Sequence, residues 1–314
     1  MSIQILSPGP LTTVQDLGRH GCMKDGFSPS GAMDTRAAVI ANLLVGNDKN
    51  DAVLEMTLMG ISARVLDRTV VAFAGGNFSP KINGGAAVPM MQAIAVFPGD
   101  EIAMGFAVSG CRAYMAVRGG IDVPLVMGSR STNLKAHVGG FEGRKLMAGD
   151  ILPVFPAPPL SEEETARRRL PYAPYFENGM LSVRAVPGPE DDRFPEQTLS
   201  AFFSEEYTVT PASDRMGMRL DGTPLASKNG VDIVSGGIAM GSVQIPPNGK
   251  PIVLLADRQT VGGYAKLATV ITADIPLLAQ AKPGDRVRFV RCTLDAAQRA
   301  AREEQKMLAG IRFR

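Results

Sequence analysis

The sequence predicts a mainly β protein made of many short strands and few helices, and three observations predict it. The chain's 34 glycines and 23 prolines are scattered as single turns and form no low-complexity block. Asn83-Gly84, Asp221-Gly222 and Asn248-Gly249 each lie between β-type residues, and such pairs favour the left-handed backbone of a tight hairpin. A third phrase recurs as PGDEIAMG from Pro98, AGDILPVF from Ala148 and PGDRVRFV from Pro283. Gly-Asp before apolar residues reads as a turn feeding a strand.

The N-terminus, MSIQILSPGPLTTVQDLG, has neither a basic start nor an apolar core before its prolines, so no signal peptide is expected and a cytoplasmic location is. Asp16 to Asp34, DLGRHGCMKDGFSPSGAMD, is a glycine-dense stretch without apolar period. It can present backbone N–H groups and the Arg19 guanidinium to an anion, or it can be an irregular lead-in to a helix, with Ser30 or Asp34 as the cap. The helix follows at 33–45, where Met33, Ala37, Ile40 and Leu44 share one face and Gly46 ends it.

Gly128 to Arg144, GSRSTNLKAHVGGFEGR, sets Ser129, Arg130, Ser131 and Thr132 near Gly139, Gly140 and Gly143. This is either an oxyanion cradle or a solvated loop. It lacks the order of a P-loop. The PAPP stretch, SEEETARRR from Ser161 and LPYAPY together mark a boundary, and the acidic start and basic end of the middle piece suit a short helix. The expected organisation is a β-rich unit at 1–155, a linker at 156–172, a second β-rich unit at 173–291 and a C-terminal helix at 292–314.

In the second unit, DRQTVGGYAKLATV runs from Asp257 to Val270. Gly262 and Gly263 can be a bend between two strands, PIVLLAD and AKLATVI. Asp257, Arg258, Gln259, Thr260, Tyr264 and Lys266 cluster around them. A partly enclosed Lys266 is a candidate electrostatic or acid–base group, and the alternative is a surface lysine on an exposed strand face.

With 45% apolar and 20% charged residues and a net charge of +2, the chain is globular and carries no electrostatic footprint for nucleic acid or an anionic membrane. Three widely spaced cysteines and two histidines argue against a disulfide framework and a zinc site, so metal-free chemistry is expected. No Ser-His-Asp arrangement stands out.

VQDLGRHG, SPSGAMDTRAAVIANLLVGN, LEMTLMG, RAYMAVRGGIDVP, MGSRST and LLADRQTVGGYAKLATVI, in this order, resemble the KipA family. That family includes the PxpC component of 5-oxoprolinase, biotin-dependent carboxyltransferase family proteins and allophanate hydrolase subunit 2. The likeness runs from about Leu11 to about Val290. It implies tandem cyclophilin-like β-barrel units and work within a hetero-oligomer, with a KipI-like (PxpB) subunit and a PxpA-like subunit. The implied reaction is ATP-dependent opening of 5-oxo-L-proline to L-glutamate, in which this chain alone is inactive and ATP is bound by the complex, in this or another subunit. Two alternatives follow from the same resemblance: a carboxyltransferase that takes its carboxyl group from biotin, and a regulatory module antagonising a KipI-type kinase inhibitor.

Opening a lactam needs positive charge and donors aimed at an oxygen that becomes more anionic. The resemblance raises Arg19, Arg130, Tyr264 and Lys266 as catalytic candidates. Ser30, Asp34, Ser129, Thr132, Gln259, Thr260, Gly262 and Gly263 are the substrate-binding candidates.

Overall fold

A computed structural model of the chain describes residues 1–176 and 179–313. Residues 177, 178 and 314, which fall in the expected second unit and terminal helix, lie outside the described residues. Two compact units are present. The first comprises Met1–His20, Ser30–Tyr175 and Gly310–Arg314, the second Gly21–Pro29 and Phe176–Ala309. The stretch 156–172, expected as a linker, thus belongs to the first unit, and Gly21–Pro29 belongs to the second.

The first unit holds two five-stranded antiparallel sheets. One runs Ile151–Pro153, Ser2–Ser7, Ser62–Val65, Glu101–Ala103, Lys81–Ile82; the other runs Thr12–Gln15, Val53–Thr57, Ser109–Val117, Thr69–Asn77, Ala93–Val96. Ile5, Leu54, Met56, Phe73, Ile102, Met115 and Leu152 fill one apolar core. In Thr69–Asn77 all but the last residue are buried, because the strand is covered on both faces. Val71 and Phe73 join the core, while the helix Thr35–Val45 packs against the same strand. That helix starts at Asp34, whose carboxylate accepts the Ala37 N–H at 2.9 Å, and ends at Gly46 with φ +75°.

The second unit contains a closed barrel of seven strands: Met180–Pro187, Lys266–Val270, Ser242–Gln244, Ile252–Leu254, Gly217–Asp221, Glu206–Val209 and Arg286–Arg291. Closure comes from a parallel pairing of the first strand with the last, Met180 opposite Arg286 through Ala185 opposite Arg291. Leu181–Ala185 and Arg286–Val290 alternate buried and exposed residues, as a barrel with one wet face requires. The rings of Phe202 and Phe289 stack at 4.4 Å beside Tyr207, each such burial contributing about 1.5–3 kcal/mol. Asp232–Gly237 and Val261–Tyr264 form a separate two-stranded ribbon.

The mainly β class is as expected, and so are the three Gly-Asp turns. Gly99, Gly149 and Gly284 have φ +94°, +94° and +93°, and each is followed, after one aspartate, by a strand. In all three the aspartate side chain accepts an N–H from three residues back: Phe97 to Asp100 at 2.8 Å, Met147 to Asp150 at 2.7 Å, Lys282 to Asp285 at 2.9 Å. Asn248-Gly249 does join two paired strands, with Val243 opposite Val253. Asp221-Gly222 does not close a hairpin, since Gly217–Asp221 pairs with Glu206–Val209 and Ile252–Leu254 and leaves its turn into a long loop. The helix Glu162–Arg167 carries a full Ser161–Glu164 capping box, and the terminal helix spans Leu294–Gly310. No helix among the described residues is long and apolar enough to cross a membrane.

Candidate functional site

Six of the candidate residues lie in the first unit. Arg19 is fully buried, and its Nε and Nη2 donate to the Val126 and Ser131 carbonyls, both at 2.9 Å. It ties a loop to the core and offers those groups to no ligand. Ser129 and Ser131 turn their hydroxyls to one oxygen of Asp16, at 2.7 and 2.5 Å. The other oxygen accepts the Arg130 N–H at 2.6 Å. Thr132 donates to the Val14 carbonyl at 2.9 Å, and the side chain of Arg130 donates to the Val123 carbonyl at 3.0 Å while lying 4.9 Å over the Phe155 ring.

The cradle expected from the sequence is therefore organised around a buried carboxylate. Asp16, 2% exposed, takes up the hydroxyl donors that a phosphate would need, and its own charge opposes an anion. Ser129, Arg130 and Thr132 do not fit the phosphate of a nucleotide. A shallow cleft of about 310 Å³ lies along Asp122, Val126, Gly139 and Gly143, beside this loop.

Ser30 and Asp34 flank a different cluster. Ser30 has φ +54° and a buried hydroxyl with no hydrogen-bond partner among the described residues. The Asp34 backbone N–H donates to the Tyr114 phenol at 2.8 Å, and that phenol donates to Glu55 at 2.6 Å, with Met33 N–H on the same Glu55 oxygen at 2.8 Å. Burial, then the charges of Glu55 and Asp34, hold the Tyr114 phenol well above its ordinary pKa. The phenol stays protonated and works as a donor.

The other six candidates lie in the second unit, on or beside the ribbon. Gly236 pairs with Gly262, Gly237 with Val261 and Asp232 with Tyr264. A side chain at 262 would meet Ile238 Cδ1 at 2.5 Å, Gln244 Nε2 at 2.9 Å and Gln259 Nε2 at 3.3 Å. The missing Cβ thus lets two amide groups converge on the backbone. Gln244 Nε2 donates to the Tyr264 carbonyl at 3.2 Å. Gln259, Thr260 and Gly263 are half-buried, and the Tyr264 ring is exposed.

Lys266 starts the next barrel strand, just past a register slip in which Val243 faces Ala268 but Gln244 faces Lys266. It is 6% exposed. Its ammonium stands 3.1 Å from Glu190 Oε2, and its backbone N–H donates to that same oxygen at 3.0 Å. One carboxylate oxygen thus engages both the side chain and the backbone of Lys266.

Sequence reasoning did not reach Glu190 or the pairing of Arg215 with Asp257. Arg215 meets Asp257 at 2.9 Å (Nε to Oδ2) and 3.2 Å (Nη2 to Oδ1), both side chains under a tenth exposed. The only signal for these partners in the sequence is that Asp257 opens the quoted phrase. Glu190 has none, because it lies 76 residues from Lys266.

The sequence profile of the family described as "Carboxyltransferase domain, subdomain A and B" matches residues 25–291. Over 312 residues the chain is 38% identical to the C-type subunit of the Escherichia coli 5-oxoprolinase, covering 99% of this chain and 98% of that protein. It is 32% identical to urea amidolyase of Saccharomyces cerevisiae over its whole length, but spans only 18% of that protein. The crystal structure of the Kluyveromyces lactis urea carboxylase superposes with a TM-score of 0.91 at 30% identity, over 99% of this chain and 29% of that one.

Proposed function

This chain belongs to the family of carboxyltransferase domains, subdomains A and B, and we propose that it is the C-type subunit of an ATP-dependent 5-oxoprolinase. The observation that carries this reading is the 38% identity over 98% of the E. coli protein. In the proposed reaction water adds across the lactam C–N bond of 5-oxo-L-proline and L-glutamate leaves. The hetero-oligomer is completed by a KipI-like (PxpB) subunit and a PxpA-like subunit, and this chain alone turns nothing over.

ATP supplies the driving force to the assembly. The Ser129 and Ser131 hydroxyls of the 128–132 loop are turned to Asp16, so that loop is not the place for its phosphates. This chain's contribution is electrostatic. The Lys266 ammonium, oriented by Glu190, and the amides of Gln244 and Gln259 by Gly262 form a preorganised donor set for an oxygen that gains negative charge as the amide resonance is lost. Tyr264, whose carbonyl accepts from Gln244, is the further candidate beside them. Fixed donors of this kind need no reorganisation during the reaction.

A second reading, transfer of a carboxyl group from biotin to urea or a related amide, is favoured by the likeness to the Kluyveromyces urea carboxylase. Substrate pairing separates the two. The assembled complex is supplied either with 5-oxo-L-proline and ATP, or with urea, bicarbonate, ATP and a biotinylated carrier. Glutamate in the first mixture and no urea carboxylation in the second is the expected result; the reverse establishes the carboxyltransferase.

A further inference from the structure

Arg215 and Arg258 are equally buried, each 5% exposed, and both adjoin Asp257, Arg215 through an ion pair and Arg258 as its neighbour in the chain. Arg215 has the Asp257 carboxylate in a two-point pair. Arg258 has only neutral partners: the Ile238 carbonyl on Nε at 3.1 Å, the Leu255 carbonyl on Nη1 at 3.2 Å and the Met23 sulfur 3.9 Å from Nη2. Among the described residues it makes no ion pair, and burial is what lowers its pKa.

A guanidinium remains protonated even when buried, so this is a fixed positive charge that no carboxylate among the described residues pairs with. Its five N–H groups are incompletely used. One N–H of Nη1 and the Nη2 end remain, and among the described residues the only acceptor within hydrogen-bonding reach of Nη2 is a thioether, a weak one. That end-on edge has the fork geometry that matches a planar carboxylate, as the nearby Arg215–Asp257 pair illustrates.

What covers that edge is the segment Gly21–Pro29, part of the same compact unit. It is fastened at one end, where the Ser28 hydroxyl donates to the Arg258 carbonyl at 2.5 Å. Gly21 and Gly26 have φ +88° and +86°, and nothing lies within 4 Å of where their Cβ would be. Met23 therefore rides on a short strap with two unpacked glycine hinges.

We propose that Arg258 is the receptor for a carboxylate on the small-molecule substrate, and that Met23 on the strap 21–29 occupies its place until the substrate arrives. This rests on the reading of the chain as a 5-oxoprolinase subunit, because 5-oxo-L-proline carries a carboxylate beside its lactam and urea carries none. Arg258 is then a specificity-determining residue.

The test compares equilibrium binding of 5-oxo-L-proline and of 2-pyrrolidone, the same ring without the carboxylate, to the full chain in its assembled complex. Wild type is expected to prefer the acid by about 10- to 100-fold, the range of one charge-assisted two-point contact. Arg258→Met should erase the preference while leaving 2-pyrrolidone binding within about twofold. Met23→Ala should strengthen binding of the acid several-fold and leave the neutral lactam unchanged, which keeps the proposal testable if Arg258→Met does not fold. Equal affinity of wild type for the two lactams, no affinity for either, or a preference that survives in Arg258→Met overturns it. Glutamate formation is read separately: turnover with an unaltered preference in Arg258→Met sinks only the carboxylate receptor, and an Arg258-dependent preference without turnover sinks only the oxoprolinase reading.

Discussion

One oxygen of Glu190 holds Lys266 at two points, the ammonium at 3.1 Å and the backbone N–H at 3.0 Å. A carboxylate that fixes both the strand and the charge at its end makes the position of that charge a property of the fold. With Lys266 only 6% exposed, removing either partner strands a charge that water reaches poorly, which costs more than breaking a surface ion pair.

Lys266→Met should fold and assemble, yet lower kcat for glutamate formation by about 100-fold or more, the scale of losing one preorganised donor. Glu190→Gln should leave a buried ammonium without its counter-charge and lose about 1–3 kcal/mol of stability. Denaturant titration and steady-state kinetics on both variants check this. Full activity in Lys266→Met would remove the lysine from the chemistry.

Asp16 predicts the opposite pattern. Its carboxylate accepts from the Ser129 and Ser131 hydroxyls and from the Gly18 and Arg130 backbone N–H groups. Asp16→Ala strands several buried donors at once and should cost about 3 kcal/mol or more. Ser129→Ala should cost about 1 kcal/mol and leave KM unchanged. A large rise in KM from Ser129→Ala, measured in a stable assembly, would return this loop to the substrate site.

The contrast between those two loops shows where sequence reading stops. The Gly-Asp phrases at 99, 149 and 284 were legible because the bond that makes each turn closes within three residues. The helix from Thr35 was legible for the same reason, its cap and stop being local. The Asp221-Gly222 turn misled because the partners of its strand come from elsewhere in the barrel. Ser129 and Thr132 read as free donors, since their acceptors on Asp16 and Val14 lie 113 and 118 residues away. The glycine pair and Lys266 were visible as a phrase, but the Glu190 contact and the neutral partners of Arg258 are facts of tertiary structure.

Gly262 and Gly263 should respond differently to alanine. At 262 the new methyl meets Ile238 and Gln244 at 2.5 and 2.9 Å, whereas at 263 its nearest neighbour is the Ser235 hydroxyl at 3.3 Å. Gly262→Ala should therefore cost about 1–3 kcal/mol through overpacking and displacement of the ribbon. Gly263→Ala should stay within about 0.5 kcal/mol. Thermal melts of the two variants decide, and equal losses would contradict the close approach at Gly262.

Tyr114 gives the fold an alkaline limit. Its phenol keeps its proton well above the ordinary value of about 10 because burial and two carboxylates disfavour the anion. The native state thus binds a proton that the unfolded chain releases near pH 10. Stability from this group is complete below that pH and is lost as pH rises toward the native pKa. Urea midpoints at about pH 8 and about pH 10.5 should fall more steeply for wild type than for Tyr114→Phe. Parallel curves would show that Tyr114 is not the group responsible.

The most direct measurement reconstitutes the proposed assembly of this chain with a KipI-like and a PxpA-like subunit, and follows glutamate formed from 5-oxo-L-proline with and without ATP. ATP-dependent glutamate that vanishes when this chain is left out is the predicted result. A folded, fully assembled complex that forms no glutamate, or that forms it equally well without this chain, would contradict the assignment.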